Sequence, residues 1–516
     1  MKYLFRSPRL VLILTLAVAL LVGYFTVQDY GLSWDEVGIY RYANRALDAY
    51  QFILHPQDYQ ADDSDPLLNL YGPAHFMLSA VLSRFMLTLH PSWSVYSAFH
   101  FIYFLTFLFG VLALYFLSTR WVSEWVALGI ALLFATQPLF WGNAFINPKD
   151  TPFMTFFIAS VYLGLQMLDD SPNSNWGKII VAGIFLGITT SIRSLGPMAG
   201  ALVILYGLWK SPRKTISIAP YYFLLTVITT YLTWPYLWKA PIVHFIDSLQ
   251  IMYHFPNTGE TLFMGNLYPA DQLPLIYFPT FIGLQLTEPM LILIAIGAVF
   301  SCWLFVTGKN MEPVFLFIAW FLAPTLYISL SRSTLYDNAR QLLFLLPPLF
   351  IFAGIGLDML LVRIKIPLLQ AALVLVMILP GIYACIQLHP YQYIYFNNLT
   401  GGVAGAFRKF DLDYSGTSFK EAQEYINANA EPGTQVVVIG PRQIARAYAR
   451  PDLRNRIIGT RDIIDLGGVE YYYILFFTRT NADENRCINA ETVYTIERDG
   501  GILSYIKKVN SKQKCW

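Results

Sequence analysis

The sequence predicts a mostly α-helical protein that crosses a membrane many times and carries a small α/β domain at its C-terminal end. Three observations support this fold class. Of the 516 residues, 56% are hydrophobic and only 13% are charged, whereas soluble domains carry about 25% charged residues. Long apolar runs recur as far as residue 386, at lengths suited to a bilayer. After His389 these runs stop, and shorter helix and strand patterns replace them.

The apolar runs predict about eleven membrane spans. They lie at 10–25, 97–118, 121–140, 152–168, 178–192, 196–209, 216–235, 289–306, 312–329, 341–361 and 366–386. Two further apolar stretches, 71–89 and 272–286, are expected to be interfacial or re-entrant. With this assignment short-loop cations such as Arg120, Lys210 and Arg363 fall on the cytoplasmic side, as the positive-inside rule requires. We therefore expect a multi-pass protein of the cell inner (plasma) membrane, with an uncleaved anchor and a cytoplasmic N-terminus.

The end of the apolar runs divides the chain into a transmembrane domain, 1–388, and an extracytoplasmic α/β domain, 389–516. In the second domain, Phe419–Asn427 has a helical pattern, and Gln435–Ile439 and Tyr471–Phe477 read as buried strands. Glu491–Val509 resembles a hairpin that turns at Asp499.

Cysteine content and net charge bear on the redox compartment of the protein and on its partners. Cys487 and Cys515 could pair in an oxidising compartment or remain free. The net charge of +2 excludes nucleic acid as an expected partner, because duplex binding needs a concentrated basic face.

The first loop contains two adjacent acids, Asp35 and Glu36, before an amphipathic helical pattern. One interpretation is structural, since Ser33 and Glu36 have the spacing of a capping box and acids are favoured in a first helical turn. The other is functional: Asp35 lies at the boundary between water and lipid, where a carboxylate can act as a general base for an acceptor hydroxyl. In that case Glu36 caps the helix and the two acids divide the roles.

The second candidate loop is Asn147-Pro148-Lys149-Asp150. Thr151 is expected as the N-cap of the following helix, with Pro152 at its first position. Asp150 is then free to face a ligand, as charged residues at the membrane edge often do. Lys149 could pair with Asp150 or bind a phosphate.

Three arginines, Arg193, Arg332 and Arg340, are predicted on the same extracytoplasmic face. Guanidinium groups bind phosphate through two parallel hydrogen bonds and stabilise charge on a departing phosphate. The alternative is that they pair with Asp337 or with lipid headgroups. His75 is more often packed than ligand-binding at such a position, although it could touch a ligand or a metal.

These motifs, in this order, resemble those of the bacterial GT-C glycosyltransferases related to protein O-mannosyltransferases and aminoarabinose transferases. The resemblance rests on four segments: Asp35-Glu36, Asn147 to Phe153, Tyr336 to Gln341 followed by Leu345 to Pro348, and His389 to Asn397. It implies a GT-C-like helical bundle with interfacial helices.

The resemblance also implies a reaction. The donor would be a polyprenyl-phosphate-linked sugar, the acceptor a hydroxyl of a lipid, glycan or protein, and the anomeric carbon would be inverted at an extracytoplasmic site. The catalytic role of base carries over to Asp35, next to Glu36, and that of a second acid to Asp150. We assign donor phosphate binding to the cations, and substrate binding to the aromatic and polar residues of the neighbouring loops. The first set is Lys149, Arg193, Arg332 and Arg340; the second is Tyr71, His75, Tyr336 and Asp337.

Two questions stay open at this point. Some relatives use a divalent metal cation and others do not, and no clear ligand cluster stands out in the sequence. A transporter or flippase of a lipid-linked sugar is the alternative function, but transporters place broken helices and charges near the bilayer midplane, often in repeated halves. The spans here are uninterrupted and no internal repeat is visible. The C-terminal domain is expected to help choose the acceptor, so that truncation at Leu388 would spare donor hydrolysis.

Overall fold

Helices account for most of the chain up to Gln387. The computed structural model describes residues 7–60, 66–169, 175–253, 255–256, 259–307, 311–459, 470–484, 486–510 and 515. The α-helices of the membrane part are α1 (Pro8–Thr26), α2 (Glu36–Asp48), α3 (Pro66–Asn69), α4 (Ala74–Leu89), α5 (Val95–Ser118), α6 (Glu124–Ala135), α7 (Pro138–Ile146), α8 (Asp150–Asp169), α9 (Trp176–Thr190), α10 (Pro197–Lys210), α11 (Pro212–Thr233), α12 (Pro241–Tyr253), α13 (Tyr277–Gln285), α14 (Glu288–Val306), α15 (Glu312–Leu316), α16 (Ala323–Leu330), α17 (Pro347–Leu361) and α18 (Pro367–Gln387). A hairpin of β1 (Glu260–Phe263) and β2 (Asn266–Pro269) interrupts them between α12 and α13.

The predicted multi-pass membrane fold is confirmed. Within the described ranges, seven helices are long and apolar enough to cross a membrane: α1, α5, α8, α11, α14, the run Glu312–Leu330 and α18. The pair α6 and α7 makes an eighth if it counts as one span. The remaining three predicted runs are the shorter apolar helices α9, α10 and α17. The two stretches that we expected to be interfacial or re-entrant contain α4 and α13.

The predicted run 121–140 is not an uninterrupted span, because α6 and α7 meet at a bend of 61°. This bend has a local cause. Pro138 begins α7 and has no N–H to continue the hydrogen-bond ladder of α6. The side chain of Gln137 at the break is satisfied elsewhere, because its amide donates to Thr287 Oγ1 (2.9 Å) and its oxygen accepts from Thr287 N (3.1 Å). The bend is thus fixed by a buried polar link to the start of α14.

The start of α8 differs from the prediction. The helix begins at Asp150 rather than after a Thr151 cap. Asn147 takes the capping role, since its Oδ1 accepts from Lys149 N (3.2 Å) and Asp150 N (2.8 Å). The Thr151 hydroxyl instead donates back to Asn143 O (3.1 Å). Sequence spacing alone allowed both arrangements, and an Asn side chain reaches these amides equally well.

Two groups of charged side chains lie at opposite ends of the bundle. At one end, ion pairs join helix termini: Arg9 with Glu124, Arg120 with Asp169, and Lys210 with Glu312 (2.8 Å). The opposite end carries the loops that contain Asp35, Lys149 and Arg340, together with the C-terminal domain. These ion-paired cations and the candidate site residues therefore lie apart.

The C-terminal part forms a five-stranded mixed sheet with short helices against it. The strands are β3 (Val436–Ile439), β4 (Ile457–Gly459), β5 (Tyr471–Phe477), β6 (Glu491–Arg498) and β7 (Gly501–Asn510), and the helices are α19 (Gly402–Ala406), α20 (Phe419–Asn429), α21 (Arg442–Tyr448) and α22 (Pro451–Arg454). The strand order is β4-β3-β5-β7-β6, with β3 parallel to both β4 and β5 and the remaining pairs antiparallel. Cys487 and Cys515 form a disulfide with a Cα–Cα distance of 4.3 Å.

The segment that follows α18 packs into the membrane bundle. A Cβ on Gly142 of α7 would lie 2.3 Å from Tyr393 N, so glycine permits this close approach. The side chain of Asn397 donates to Gly283 O (2.7 Å) and Leu286 O (2.9 Å) beside α13. The predicted boundary at 388/389 marks where the apolar runs end, but tertiary contacts continue across it.

Candidate active site

A cavity of about 280 Å³ lies where the loops of the membrane bundle meet the C-terminal domain. Six of its wall residues were predicted as site residues: Asp35, Tyr71, Lys149, Tyr336, Asp337 and Arg340. Six were not: Trp34, Leu67, Leu68, Phe255, Tyr414 and Arg479. The cavity therefore gathers side chains from seven separate stretches of the chain.

Asp35 faces this cavity because it is not used as a cap. It occupies the N-cap position of α2, yet its side chain makes no capping hydrogen bond. One carboxylate oxygen lies 2.6 Å from Lys149 Nζ, and the side chain of Asp35 is 35% exposed. Burial favours the protonated acid, but the charges of Lys149 and Arg340 outweigh it and lower the pKa of Asp35 to about 2. The carboxylate is thus ionised and partly open to a ligand.

Glu36 lies on the other side of the backbone in a closed polar network. Its Oε2 accepts from Ser33 N (2.6 Å), and its Oε1 accepts from the Tyr40 hydroxyl (2.7 Å). His100 Nε2 lies 2.9 Å from the same Oε1, and both side chains are buried. These contacts fix the turn before α2 and leave Glu36 without access to the cavity. The two adjacent acids therefore have different environments.

Lys149 and Asp150 point in different directions from the start of α8. Lys149 Nζ reaches Asp35 and lies 4.8 Å from the centre of the Tyr71 ring. The Asp35 charge raises the pKa of Lys149 above its usual range against the opposing effect of burial. Asp150 is buried and ion-paired with Arg193, and it also accepts from Asn147 Nδ2 (3.1 Å). Asp150 and Arg193 thus support the cavity from behind without lining it.

Gly72 brings Tyr71 next to this buried pair. A Cβ at Gly72 would lie 2.2 Å from Ser191 O in the turn that precedes Arg193. The guanidinium carbon of Arg193 is 5.9 Å from the centres of the Tyr71 and Phe153 rings. The aromatic wall of the cavity is therefore held by the Asp150–Arg193 pair.

Asp337 joins two arginines in the wall of the cavity. Its carboxylate lies 2.6 Å from Arg340 Nη2 and 2.7 Å from Arg479 Nη2. The backbone turns sharply here, with positive φ at Asp337 (58°) and Asn338 (60°). Asn338 stabilises the turn by donating from its backbone N to the Tyr277 hydroxyl (3.2 Å) and from its Nδ2 to Asp411 O (2.8 Å).

Arg332 and His75 are not brought to the cavity. Arg332 lines a separate small depression with residues such as Leu273 and Ser329. His75 is buried within the bundle, with Nε2 3.0 Å from the Thr106 hydroxyl. Of the predicted cations, Lys149 and Arg340 line the cavity and Arg193 lies behind it.

The cavity wall carries an excess of positive charge. Lys149, Arg340 and Arg479 contribute three cations, and Asp35 and Asp337 contribute two carboxylates. Tyr336 and Tyr414 each place a ring 5.8 Å from the guanidinium carbon of Arg340. Such a wall suits a monoanion that carries a ring-shaped group. Among the described residues, no group of three or more His, Cys, Asp or Glu side chains is arranged to hold a metal ion.

Comparison with known proteins gives one family match. Residues 90–248 match the family model described as dolichyl-phosphate-mannose-protein mannosyltransferase. This segment includes Lys149, Asp150 and Arg193 but neither Asp35 nor Arg340. It confirms the predicted resemblance to membrane glycosyltransferases of this kind. No curated protein matches the chain.

Solved structures with a similar arrangement include those of two proteins. ArnT from Cupriavidus metallidurans in the apo state is 14% identical, with a TM-score of 0.49, over 96% of this chain and 97% of that one. The apo oligosaccharyltransferase of Archaeoglobus fulgidus is 12% identical, with a TM-score of 0.47, over 86% of this chain and 64% of that one.

Proposed function

Because the chain resembles membrane glycosyltransferases of the GT-C kind, we propose that it transfers a sugar from a polyprenyl-phosphate-linked donor to an acceptor hydroxyl. The observation that carries the proposal is the pairing of a cavity-facing Asp35 with Lys149, with Arg340 on the same wall. A carboxylate and a set of cations in one cavity are the two elements that the reaction needs. One accepts a proton from the nucleophile, and the other stabilises the leaving phosphate.

The proposed reaction is a single displacement. Asp35 takes the proton of the acceptor hydroxyl while the oxygen forms a bond to the anomeric carbon. The bond between that carbon and the phosphate oxygen breaks, and its electron pair leaves with the polyprenyl phosphate. Attack opposite the leaving group inverts the anomeric carbon. Lys149 and Arg340 stabilise the negative charge that develops on the phosphate.

Lys149 couples donor binding to the basicity of Asp35. In the free protein its ammonium group neutralises the carboxylate, which makes Asp35 a weak base. A donor phosphate in the cavity competes for the same ammonium group. As Lys149 turns toward the phosphate, Asp35 loses its closest positive charge and its pKa rises. The base is thereby strengthened when the donor is present.

The site is proposed to face the extracytoplasmic side. The disulfide between Cys487 and Cys515 supports this orientation for the adjoining C-terminal domain, because disulfides persist in oxidising compartments. Cations such as Arg120 and Lys210, at the opposite end of the bundle, agree with a cytoplasmic position by the positive-inside rule.

The test compares Asp35→Asn with Asp29→Asn in a deletion strain. Asp29 is a matched control, since it is an exposed carboxylate of the same loop that pairs with His389 outside the cavity. Mass spectrometry of lipids, glycans and proteins should reveal one glycosyl increment that is missing from the deletion strain. Wild type and Asp29→Asn should restore it, and Asp35→Asn should not, at equal protein level and thermal stability.

Two results would contradict the proposal. If Asp35→Asn restores the missing glycosyl increment, Asp35 is not the base. A flippase would be indicated instead by two results together. The deletion strain would lack no glycosyl increment, and the protein would move lipid-linked sugar across the membrane of proteoliposomes.

A further inference from the structure

Arg479 brings the C-terminal domain into the charged cavity. It begins the turn Arg479–Asn481, which is separated from β5 by Thr478 alone. Its guanidinium lies 2.7 Å from Asp337 and 5.9 Å from the centre of the Trp34 ring, and its side chain is 19% exposed. Nothing in its sequence surroundings, Phe-Thr-Arg-Thr-Asn, has the form of a binding motif. Only the fold places it beside Arg340.

The turn that carries Arg479 is held by a buried acid, Asp411. One oxygen of Asp411 accepts from Thr480 N (2.7 Å), and the other accepts from Leu262 N (3.1 Å) in β1. The backbone oxygen of Asp411 accepts from Asn338, next to Asp337. Asp411 thus ties together the turn, the β1–β2 hairpin and the Asp337 loop. The position of Arg479 is fixed by this scaffold.

A single carboxylate cannot neutralise two guanidinium groups. Asp337 offers two oxygens and one negative charge to Arg340 and Arg479, each of which has five N–H donors. Arg340 Nε is buried and has no hydrogen-bond partner among the described side chains. Asp337, Arg340 and Arg479 together therefore carry a net charge of +1, and both arginines line the cavity. An anion in the cavity would satisfy this excess.

We propose that Arg479 binds the phosphate of the polyprenyl donor together with Lys149 and Arg340, so that the C-terminal domain completes the donor site. This inference rests on the proposed function. It assigns to the domain a direct part in donor binding, in addition to any part in choosing the acceptor.

The same domain also holds the segment that carries Asp35. Trp34 N donates to Ser415 O (2.9 Å), and Trp34 O accepts from Gln443 Nε2 (3.2 Å). Leu32 N donates to the Tyr448 hydroxyl (3.0 Å). The C-terminal domain therefore positions the loop that carries Asp35 and also supplies the cation Arg479 to the cavity wall.

The experiment measures binding of undecaprenyl phosphate, without a sugar, to the purified full-length protein in nanodiscs. Arg479→Gln should weaken binding by about tenfold or more, since a hydrogen bond between two charged groups is lost. Arg479→Lys should bind more weakly than wild type but more tightly than Arg479→Gln, because lysine keeps the charge but lacks the planar guanidinium group. Arg456→Gln is the matched control, an exposed arginine of the same domain, and should bind as wild type does.

The controls separate failure of this inference from failure of the proposed function. Arg340→Gln should weaken binding whether or not Arg479 takes part. If Arg340→Gln weakens binding and Arg479→Gln does not, the anion site exists and Arg479 is only a partner of Asp337. If the wild-type protein does not bind the lipid phosphate at all, the proposed function fails as well. All measurements are made below the melting temperature of each variant, which removes loss of folding as an explanation.

Discussion

Replacing Lys149 should move the protonation of Asp35 to higher pH. Lys149→Gln keeps most of the side-chain volume but removes the positive charge that lies 2.6 Å from the Asp35 carboxylate. Without that charge the ionised form of Asp35 loses its main stabilising contact, and the pKa of Asp35 must rise. Arg340 remains nearby and limits the rise.

The size of this effect follows from the geometry. Two unit charges about 4 Å apart interact by about 1 kcal/mol in water and by about 4 kcal/mol at the effective dielectric constant near a protein surface. Asp35 is 35% exposed, so screening by solvent places the pair between these limits. About 1.4 kcal/mol corresponds to one pKa unit. The pKa of Asp35 should therefore rise from about 2 to a value of roughly 3 to 5.

Infrared difference titration measures this change without a substrate. The band of the protonated carboxyl group is assigned to Asp35 by its loss in Asp35→Asn. We expect it to appear at higher pH in Lys149→Gln than in wild type, and near the wild-type position in Lys149→Arg. Lys210→Gln, at the far end of the bundle, should leave it unmoved. An unchanged titration in Lys149→Gln would refute the idea that Lys149 controls the basicity of Asp35. The acid limb of transfer activity should shift in the same direction.

Two further predictions concern acids outside the reaction. Glu36→Gln should lower stability by about 1 to 3 kcal/mol, because the buried contacts to Ser33 N and His100 are weakened, while transfer per folded molecule persists; a stable variant without turnover would show that Glu36 acts in the chemistry. Asp411 gives a pH dependence: burial raises its pKa to about 6 despite the charge of Arg479, whereas an unfolded aspartate titrates near 3.9. The folded protein therefore holds a proton between about pH 4 and pH 6 that the unfolded chain has released, so the free energy of unfolding should rise by up to roughly 3 kcal/mol as pH falls through this window. Thermal melts across the window should show a smaller rise in Asp411→Asn, and equal pH profiles in both proteins would contradict this assignment.

The helices could be predicted from sequence because their signals are local. Each predicted apolar run falls on one helix or on two consecutive helices. The helix starts at Ser94, Ser123 and Asn175 carry side-chain caps that the sequence displays directly. The cap of α8 differs from the predicted one because Asn147 and Thr151 are both good capping residues. The choice between them depends on how the preceding turn approaches the helix.

The candidate site could be predicted only in part. Lys149 and Arg340 lie in loops that topology places on one face, so their proximity to Asp35 could be inferred. Arg332 lies only eight residues before Arg340, yet the positive φ values at Arg332 and Asp337 turn the loop and leave Arg332 outside the cavity. Arg479 could not be found, because its approach depends on how the C-terminal sheet docks. The structure reveals this additional cation, because the buried Asp337 lies within ion-pairing distance of both Arg340 and Arg479.

The contacts around Arg479 change what truncation is expected to do. Removal of the chain after Leu388 would delete Tyr414 and Arg479 from the cavity wall. It would also remove the acceptor and donor groups that hold Trp34. We therefore expect donor hydrolysis to be lost along with transfer, in contrast to the expectation drawn from the position of the apolar runs.

The two hydrogen bonds that Ser415 and Gln443 make with the backbone of Trp34 limit how chimeras can be designed. A C-terminal domain grafted from a relative would have to offer a carbonyl where Ser415 lies and an amide where Gln443 lies. Without both, the loop beside the base would lose its register even if the membrane helices were untouched. The smallest exchangeable unit is therefore the first loop together with the C-terminal domain, two segments separated by most of the chain, and they should be inherited and engineered as a pair.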